Sequence, residues 1–572
     1  MTRSRLLRQR EVDPRIAESL ARRGVHPVLC RILASRGLRD AAELDTAIAG
    51  LAAPESLADG RRAAALLADA IAAGERICVV ADYDCDGATA CAVAVRGLRR
   101  FGATVDYLVP NRFVHGYGLG PAVVELASRH PRLGRPDWLL TVDNGIASIE
   151  GVEAAHRAGM KVIVTDHHLP GPTLPAAAAI VNPNRRDCAF PSKHLAGVGV
   201  VFYLLGMLRS QLGATAGRAR VELVDLLDLV AVGTVADVVR LDPNNRRLVA
   251  AGLRRIRAGL ACPGLAALLQ VAGIEPARAS VRDIGFGIAP RINAAGRLAE
   301  ISTGIECLLA DDPAHAARLA AELDAINRER RRIEQDMRAQ ALADIGAPDA
   351  GAPALVICRD DWHEGVVGLV AGRLKDLHWR PAIALAPARG EPGMLRGSGR
   401  SVPGLHLRDA LETVANRHPG MIERYGGHAM AAGLSLAAAN LAGFTSALHE
   451  AIIELADEHA FDEILLHDGP LAPAEIDFGL LDAIDAGIWG QGFPAPLFVN
   501  RFRVDRQRVV GDGHLKLSLR LGERGFDAIA FGRSAFVGEQ ARLAYRLERN
   551  DWQGRQALQL VVEDIDDGDA PI

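Results

Sequence analysis

None of the eight cysteines in this 572-residue sequence forms a CxxC pair. That excludes a zinc ribbon and a dithiol redox motif. Most of them lie in apolar runs, as buried thiols of a reducing compartment do. A long hydrophobic run is also missing: no stretch reaches the ~18 apolar residues of a membrane span. The N-terminal MTRSRLLRQREVD is basic but leads into no apolar core of a signal peptide. These absences predict a cytoplasmic protein without a membrane segment. An excess of one charge is missing too. Lys and Arg number 66 against 70 Asp and Glu, a net charge of −4, so a surface for a polyanion can only be a local patch. Aromatic residues make up 4% of the chain.

What is present is an ordinary globular composition, 49% apolar and 24% charged. The length suggests about three or four domains. The most informative stretch is ICVVADYDCDG, residues 77–87. An apolar, β-branched run ends in Asp82, Asp84 and Asp86 at alternate positions, with Gly87 and a small-residue helix following. This is the pattern of a buried parallel strand that delivers acids to its carboxyl end, where open α/β sheets bind ligands. Three crowded carboxylates call for a cation, and Mg²⁺ or Mn²⁺ prefers oxygen ligands. A solvated acidic turn is the competing interpretation.

The rest of the chain decides between them. Residues 1–10 carry Arg3, Arg5, Arg8 and Arg10 and read as a flexible arm. Helical spacing runs from Pro14 to about Ala73. From Arg76, strands alternate with helices. ATVDYLVPNRF leads to the Gly-rich HGYGLG. DWLLTVDNGIAS ends an apolar run in Asp143. KVIVTDHHLPG ends another in Asp166, His167 and His168. A long apolar helix then enters GTVADVV, with Asp237 at its tip. Such alternation predicts a doubly wound parallel sheet. Four separate segments place Asp or His where an apolar element meets a loop. That repetition favours one polynuclear site, and its carboxylate majority leans towards Mn²⁺ or Mg²⁺.

The motifs DYDCDG, TVDNG, TDHH and GTVADVV resemble those of the DHH phosphoesterase superfamily. PNRFVHGYGL, PRINAAGRL (290–298), GSGRS (397–401) and GGHAMAAG (426–433) narrow the resemblance to its RecJ type, the single-strand-specific 5′→3′ DNA exonucleases. The resemblance implies two divalent ions held by Asp84, Asp86, Asp143, His167 and Asp237, with Asp143 between them. Asp82 is either a ligand or supports one. His168 would lie beside the scissile phosphate, and Asp166 would orient the ring of His167. Two alternatives stay open: a DHH phosphodiesterase for short oligonucleotides or cyclic dinucleotides, and a non-catalytic replication scaffold.

The same resemblance divides the chain into an N-terminal helical segment (1–73), a DHH catalytic domain (74–304) and a connecting helix (305–345). A DHHA1 substrate-binding domain (346–455) and an OB-like β-barrel (456–572) follow. Residues 282–298 read as a loop whose Arg291, Asn293 and Arg297 could face phosphates, or brace a turn. GSGRS reads as a tight Gly-rich segment with Ser398 and Arg400 as phosphate donors, joined by Arg112 in a pocket for the 5′ phosphate. Gly427 and His428 read as an open loop on the substrate side, with a packed histidine as the alternative. In the last domain, HLKLSLRL alternates strictly, and Arg501, Arg503, Arg506, Arg508 and Lys516 supply positive charge. Its aromatics for stacking are few, Phe502 and Trp552. Implied partners are single-stranded DNA, DNA-repair proteins and single-strand-binding proteins.

Overall fold

The computed structural model describes residues 5–111, 115–216, 221–345, 352–511, 513–552 and 555–566. The chain divides into two compact units. One contains residues 1–293, 301–322 and 465–572; the other contains 294–300 and 323–464.

The first unit opens with a short strand, β1 (Leu6–Gln9), and two helices, Pro14–Arg22 and Pro27–Ala34. Its central sheet is built from β2 (Arg76–Ala81), β3 (Thr104–Leu108), β4 (Trp138–Val142), β5 (Lys161–Thr165) and β6 (Ala179–Val181). The order is β3-β2-β4-β5-β6 and every pair is parallel. The strands are apolar at nearly every position because both faces are covered; Ile77, Val79, Val80, Leu139, Val162 and Val164 are fully buried. Helix Cys85–Arg100 follows β2, and Gly197–Ala216 and Leu227–Ala236 pack near it. Ala81, Val142 and Thr165 stand in register on three neighbouring strands. Asp82, Asp143 and Asp166, the residues that follow them, therefore emerge along one edge of the sheet. The doubly wound α/β expectation holds.

The second unit carries β7 (Leu355–Cys358), β8 (Ala382–Pro387), β9 (Met394–Arg400), β10 (Arg424–Gly427) and β11 (Ala431–Ala437). They form a mixed sheet ordered β10-β11-β9-β8-β7. Helix Val367–His378 packs on one face, and Leu407–Arg417 and Leu441–Leu455 on the other. The long helix Pro313–Ile345 begins in the first unit and ends in this one.

The chain returns to the first unit through β12 (Ile464–His467), which pairs with β1. Residues 6–9 are thus a strand and not a flexible arm, and the Arg10 N–H donates to the His467 carbonyl at 2.8 Å. Then β13 (Phe498–Val510), β14 (His514–Leu521), β15 (Arg524–Ala530), β16 (Gln540–Trp552) and β17 (Arg555–Asp566) close into a barrel ordered β13-β14-β15-β17-β16. Leu515, Leu517 and Leu519 fill its interior, as their alternation predicts.

Two segments differ from expectation. Residues 282–298 are helical: a turn at Val281–Asp283, a π-helical turn at Ile284–Ile288 and an α-helix at Ala289–Leu298. Pro290 sits in the first turn of that last helix, where the missing N–H costs nothing. GSGRS is likewise mostly a strand, the end of β9. A Cβ on Gly397 would stand 2.9 Å from Leu434 and one on Gly399 would overlap Leu407 at 2.7 Å. Those glycines make room for leucines packed on one face of the sheet, opposite Ser398 and Arg400.

Candidate metal centre

Asp82, Asp84 and Asp86 leave β2 at the start of helix Cys85–Arg100. Asp84 is the N-cap and accepts the Gly87 N–H at 3.0 Å. Gly87 is required there, because a Cβ would stand 2.6 Å from the Asp82 carbonyl oxygen. Asp86 is buried, and its two oxygens accept the N–H groups of Gly197 (2.6 Å) and Val198 (3.0 Å) at the start of helix Gly197–Ala216. Asp143 follows β4 in a left-handed backbone conformation, φ 62°, uncommon for a residue with a Cβ and typical of functional sites. A Cβ on Gly197 would lie 2.6 Å from its Oδ1. Asp237 arrives from outside the sheet as the C-cap of helix Leu227–Ala236.

These side chains converge. His167 Nε2 lies 3.0 Å from Asp143 Oδ1, 3.4 Å from Asp237 Oδ2 and 3.9 Å from Asp86 Oδ2. Ligand atoms of Asp82, Asp84 and Asp143 gather within 4.8 Å of one another, as do those of Asp86, His167 and Asp237. The two triplets meet where Asp143 approaches His167. Both Asp143 Oδ1 and His167 Nε2 are buried and make no hydrogen bond among the described residues. Buried polar atoms are rarely left so, and five carboxylates this close repel one another. The donor set is five carboxylates and an imidazole. It fits two hard divalent cations of the Mn²⁺ or Mg²⁺ kind.

The protonation states agree with that fit. Burial, then the charge of Asp84, pushes Asp86 up to about 7. Burial followed by Asp86 and Asp84 raises Asp143 and Asp237 well above the ordinary carboxylate range. Without cations these groups hold protons that cations would displace. Burial, helped by His168, lowers His167 to about 4, leaving a neutral ring with a lone pair to give. His168 goes the other way. Burial is the largest single effect and opposes its charge, but the hydrogen bond to Asp166 and the charges of Asp166, Asp237 and Asp82 together outweigh it and lift His168 to about 9. That shift favours the cationic form of His168 at neutral pH.

One expected role changes. Asp166 was predicted to orient the His167 ring, but its Oδ1 accepts from His168 Nδ1 at 2.7 Å. It reaches His167 only through the backbone N–H, at 2.7 Å. Its other oxygen accepts the Ile146 N–H at 2.8 Å. Asp166 therefore charges His168 and fixes the loop, while His167 is held through its backbone.

Several contributors carry no sequence signal. Asn184 Nδ2 donates to the His167 carbonyl at 2.5 Å and Asn182 Nδ2 to the His168 carbonyl at 2.9 Å. Both lie in VNPNRRD, which looks like a plain turn. The Tyr117 hydroxyl lies 3.3 Å from the His168 ring nitrogens. It sits in the HGYGLG loop, so its motif was visible while its partner was not.

The predicted substrate residues divide. Arg112 lies outside the described residues. Arg291 Nη1 donates to the Gly287 carbonyl at 2.5 Å, which braces its own helix. Asn293 Oδ1 accepts the Cys85 N–H at 2.8 Å and so anchors the acidic loop rather than facing a phosphate with that oxygen. In the second unit, Arg297 Nη1 donates to the Gly365 carbonyl at 3.3 Å. Ser398 and Arg400 point to one side of β9 and touch each other at 2.9 Å, beside Gly368 of helix Val367–His378. Gly427 needs its φ of 140°, and a Cβ there would collide with the Ala431 carbonyl. His428 is exposed, and its N–H closes the β10–β11 hairpin by donating to the Ala431 carbonyl at 2.8 Å. In the barrel, Phe502 is an interior residue and not a stacking surface.

Comparison with known proteins agrees with this geometry. Residues 76–234 match the DHH family N-terminal domain, 351–454 the DHHA1 domain and 467–564 the RecJ OB domain. The single-stranded-DNA-specific exonuclease RecJ of Escherichia coli (strain K12) is 46% identical over 98% of this chain and 98% of that protein. The protein of that name from Dickeya dadantii (strain 3937) is 46% identical over 94% and 96%. The crystal structure of RecJ in complex with Mn²⁺ from Thermus thermophilus is 30% identical. It covers 99% of this chain and 80% of that one, with a TM-score of 0.83. Its Mg²⁺ complex gives 29% identity, 99% and 79% coverage and a TM-score of 0.76. With sequence similarity along its whole length, all three domain types and a matching structure, this chain belongs to the RecJ family of DHH phosphoesterases.

Proposed function

We propose that this chain is a metal-dependent exonuclease that degrades single-stranded DNA from its 5′ end in the cytoplasm, during DNA repair and recombination. The observation that carries the proposal is the convergence of Asp82, Asp84, Asp86, Asp143, His167 and Asp237 at one sheet edge, in a chain whose full-length relatives are named for that activity.

Two divalent cations bound by these six residues would polarise the phosphodiester and lower the pKa of the attacking water. The protein's own groups supply the rest. Asp143, grouped with Asp82 and Asp84, also lies 3.0 Å from His167 of the other triplet and would be shared by both ions. Neutral His167 would ligate through Nε2. Cationic His168, held by Asp166, is suited to a phosphate oxygen that gains negative charge. Tyr117 keeps the His168 ring in place. Ser398 and Arg400 form a compact donor pair suited to the strand's phosphates. The barrel's exposed Arg506 and Arg508 are suited to the backbone of a strand further along. Partners of the repair and single-strand-binding classes belong to the same proposal.

The test is a substrate panel. The protein is incubated with Mn²⁺ or Mg²⁺ and end-labelled single strands, duplexes and dinucleotides, with either end of the strand blocked. Degradation of single strands that a 5′ block prevents is the expected result. Cleavage of dinucleotides alone would replace the proposal with a short-oligonucleotide phosphodiesterase. No cleavage of any substrate would indicate a scaffold.

A further inference from the structure

The surface around the acidic cluster exposes apolar side chains that a folded protein ordinarily covers. Phe286 is 73% exposed, more than any other large apolar residue among those described. Leu169 and Val238 are 66% and 62% exposed, and they directly follow His168 and Asp237 in the chain. Val238 also has φ 57°, an outlier for a β-branched residue.

The placement of Phe286 is specific. It lies at the centre of the π-helical turn Ile284–Ile288. Such turns are rare and concentrate at functional sites. The turn is anchored on both sides. A Cβ on Gly285 would touch Val235 Cγ1 at 3.6 Å, two residues before Asp237. About two helical turns onward, Asn293 accepts the N–H of Cys85, the residue between Asp84 and Asp86. The Arg291 bond to the Gly287 carbonyl stiffens the segment in between. An exposed ring is therefore held on the framework that positions the acids. The arginine of this segment, by contrast, is turned inward.

A nucleotide whose phosphate lies at the cluster carries its base no further than one nucleotide's reach. Bases of a single strand offer an apolar face, and aromatic side chains stack on it with little regard to sequence. We propose that Phe286 is a base-stacking residue that positions the nucleotide next to the scissile phosphate. This rests on the single-strand exonuclease proposal above.

The experiment places 2-aminopurine at successive positions from the 5′ end of an oligonucleotide and binds it to full-length protein carrying Asp143→Ala, so that the strand stays uncut. Stacking quenches the probe. One or two adjacent positions near the 5′ end should be quenched. Phe286→Leu should abolish that quench and weaken oligonucleotide binding by about 10-fold; Phe286→Trp should retain both. Melting temperatures of the variants separate this effect from a loss of folding. A quench profile that Phe286→Leu leaves unchanged would overturn the proposal, as would equal losses in the leucine and tryptophan variants. If the unsubstituted protein neither binds nor degrades single strands, the exonuclease proposal falls and takes this one with it. If it degrades them normally and the quench ignores Phe286, the stacking role alone is wrong.

Discussion

Asp143 meets three demands at once: a left-handed backbone, a buried carboxylate, and contact with a residue that must be glycine. Replacing it with alanine removes the group that joins the Asp82–Asp84 side of the cluster to His167. Asp143→Ala should lower hydrolysis of single-stranded DNA by more than about 100-fold, beyond what loss of a merely supporting partner costs, while strand binding persists in a gel-shift assay. Comparable activity in the variant would rule out a shared ligand. Asp166 gives a different readout. It holds His168 at about 9, so activity that needs cationic His168 should fall as pH rises through about 9. In Asp166→Asn the raising partner is gone, and the same limb should move down towards the ordinary imidazole value of about 6.5. An unmoved alkaline limb in the pH–rate profile would remove His168 from the charged role. The acids and histidines themselves were legible in the sequence because each ends an apolar strand or helix. Tyr117, Asn182 and Asn184 were not, because nothing local marks a residue whose partner arrives only on folding. Asp166 was assigned to the wrong ring for a related reason: adjacency in DHH does not say which imidazole turns back.

Among the elements, the parallel sheet and the alternating barrel strands follow from hydrophobic periodicity, and both were legible. Glycine misled in two places. GSGRS and the 282–298 segment look like loops by composition. In the fold, Gly397 and Gly399 let leucines close over a strand, and Gly287 lets a helical turn lie against Ile274. Composition records the absence of a side chain but not the neighbour that needs the space. Gly197 is where this matters for the site. Its N–H serves Asp86, and a Cβ would stand 2.6 Å from Asp143 Oδ1. Gly197→Ala should therefore weaken Mn²⁺ binding by about 10- to 100-fold, read by titration calorimetry. The barrel is a contrasting case. Leu517 is fully buried inside it, and Leu517→Ala should cost about 2–5 kcal/mol in a denaturant titration, with Mn²⁺ affinity unchanged.

For the molecule as a whole, the cluster couples metal binding to stability. Asp86 sits near 7, with Asp143 and Asp237 also raised. Between their ordinary values and these raised ones, the folded metal-free protein binds protons that the unfolded chain has released. The contribution of Asp86 to stability is therefore full at low pH and is lost as pH rises through about 7, and the raised Asp143 and Asp237 act in the same direction. Divalent cations replace those protons. The rise in melting temperature between EDTA and Mn²⁺ should then grow from pH 5 to pH 8; an increment independent of pH would contradict the assignment of these carboxylates. The central claim is that Asp82, Asp84, Asp86, Asp143, His167 and Asp237 make one centre for two ions. Equilibrium titration with Mn²⁺, following free ion by electron paramagnetic resonance, tests it most directly. The account predicts two bound ions per chain, both perturbed by Asp143→Ala. One ion per chain, or two that ignore Asp143, would contradict it.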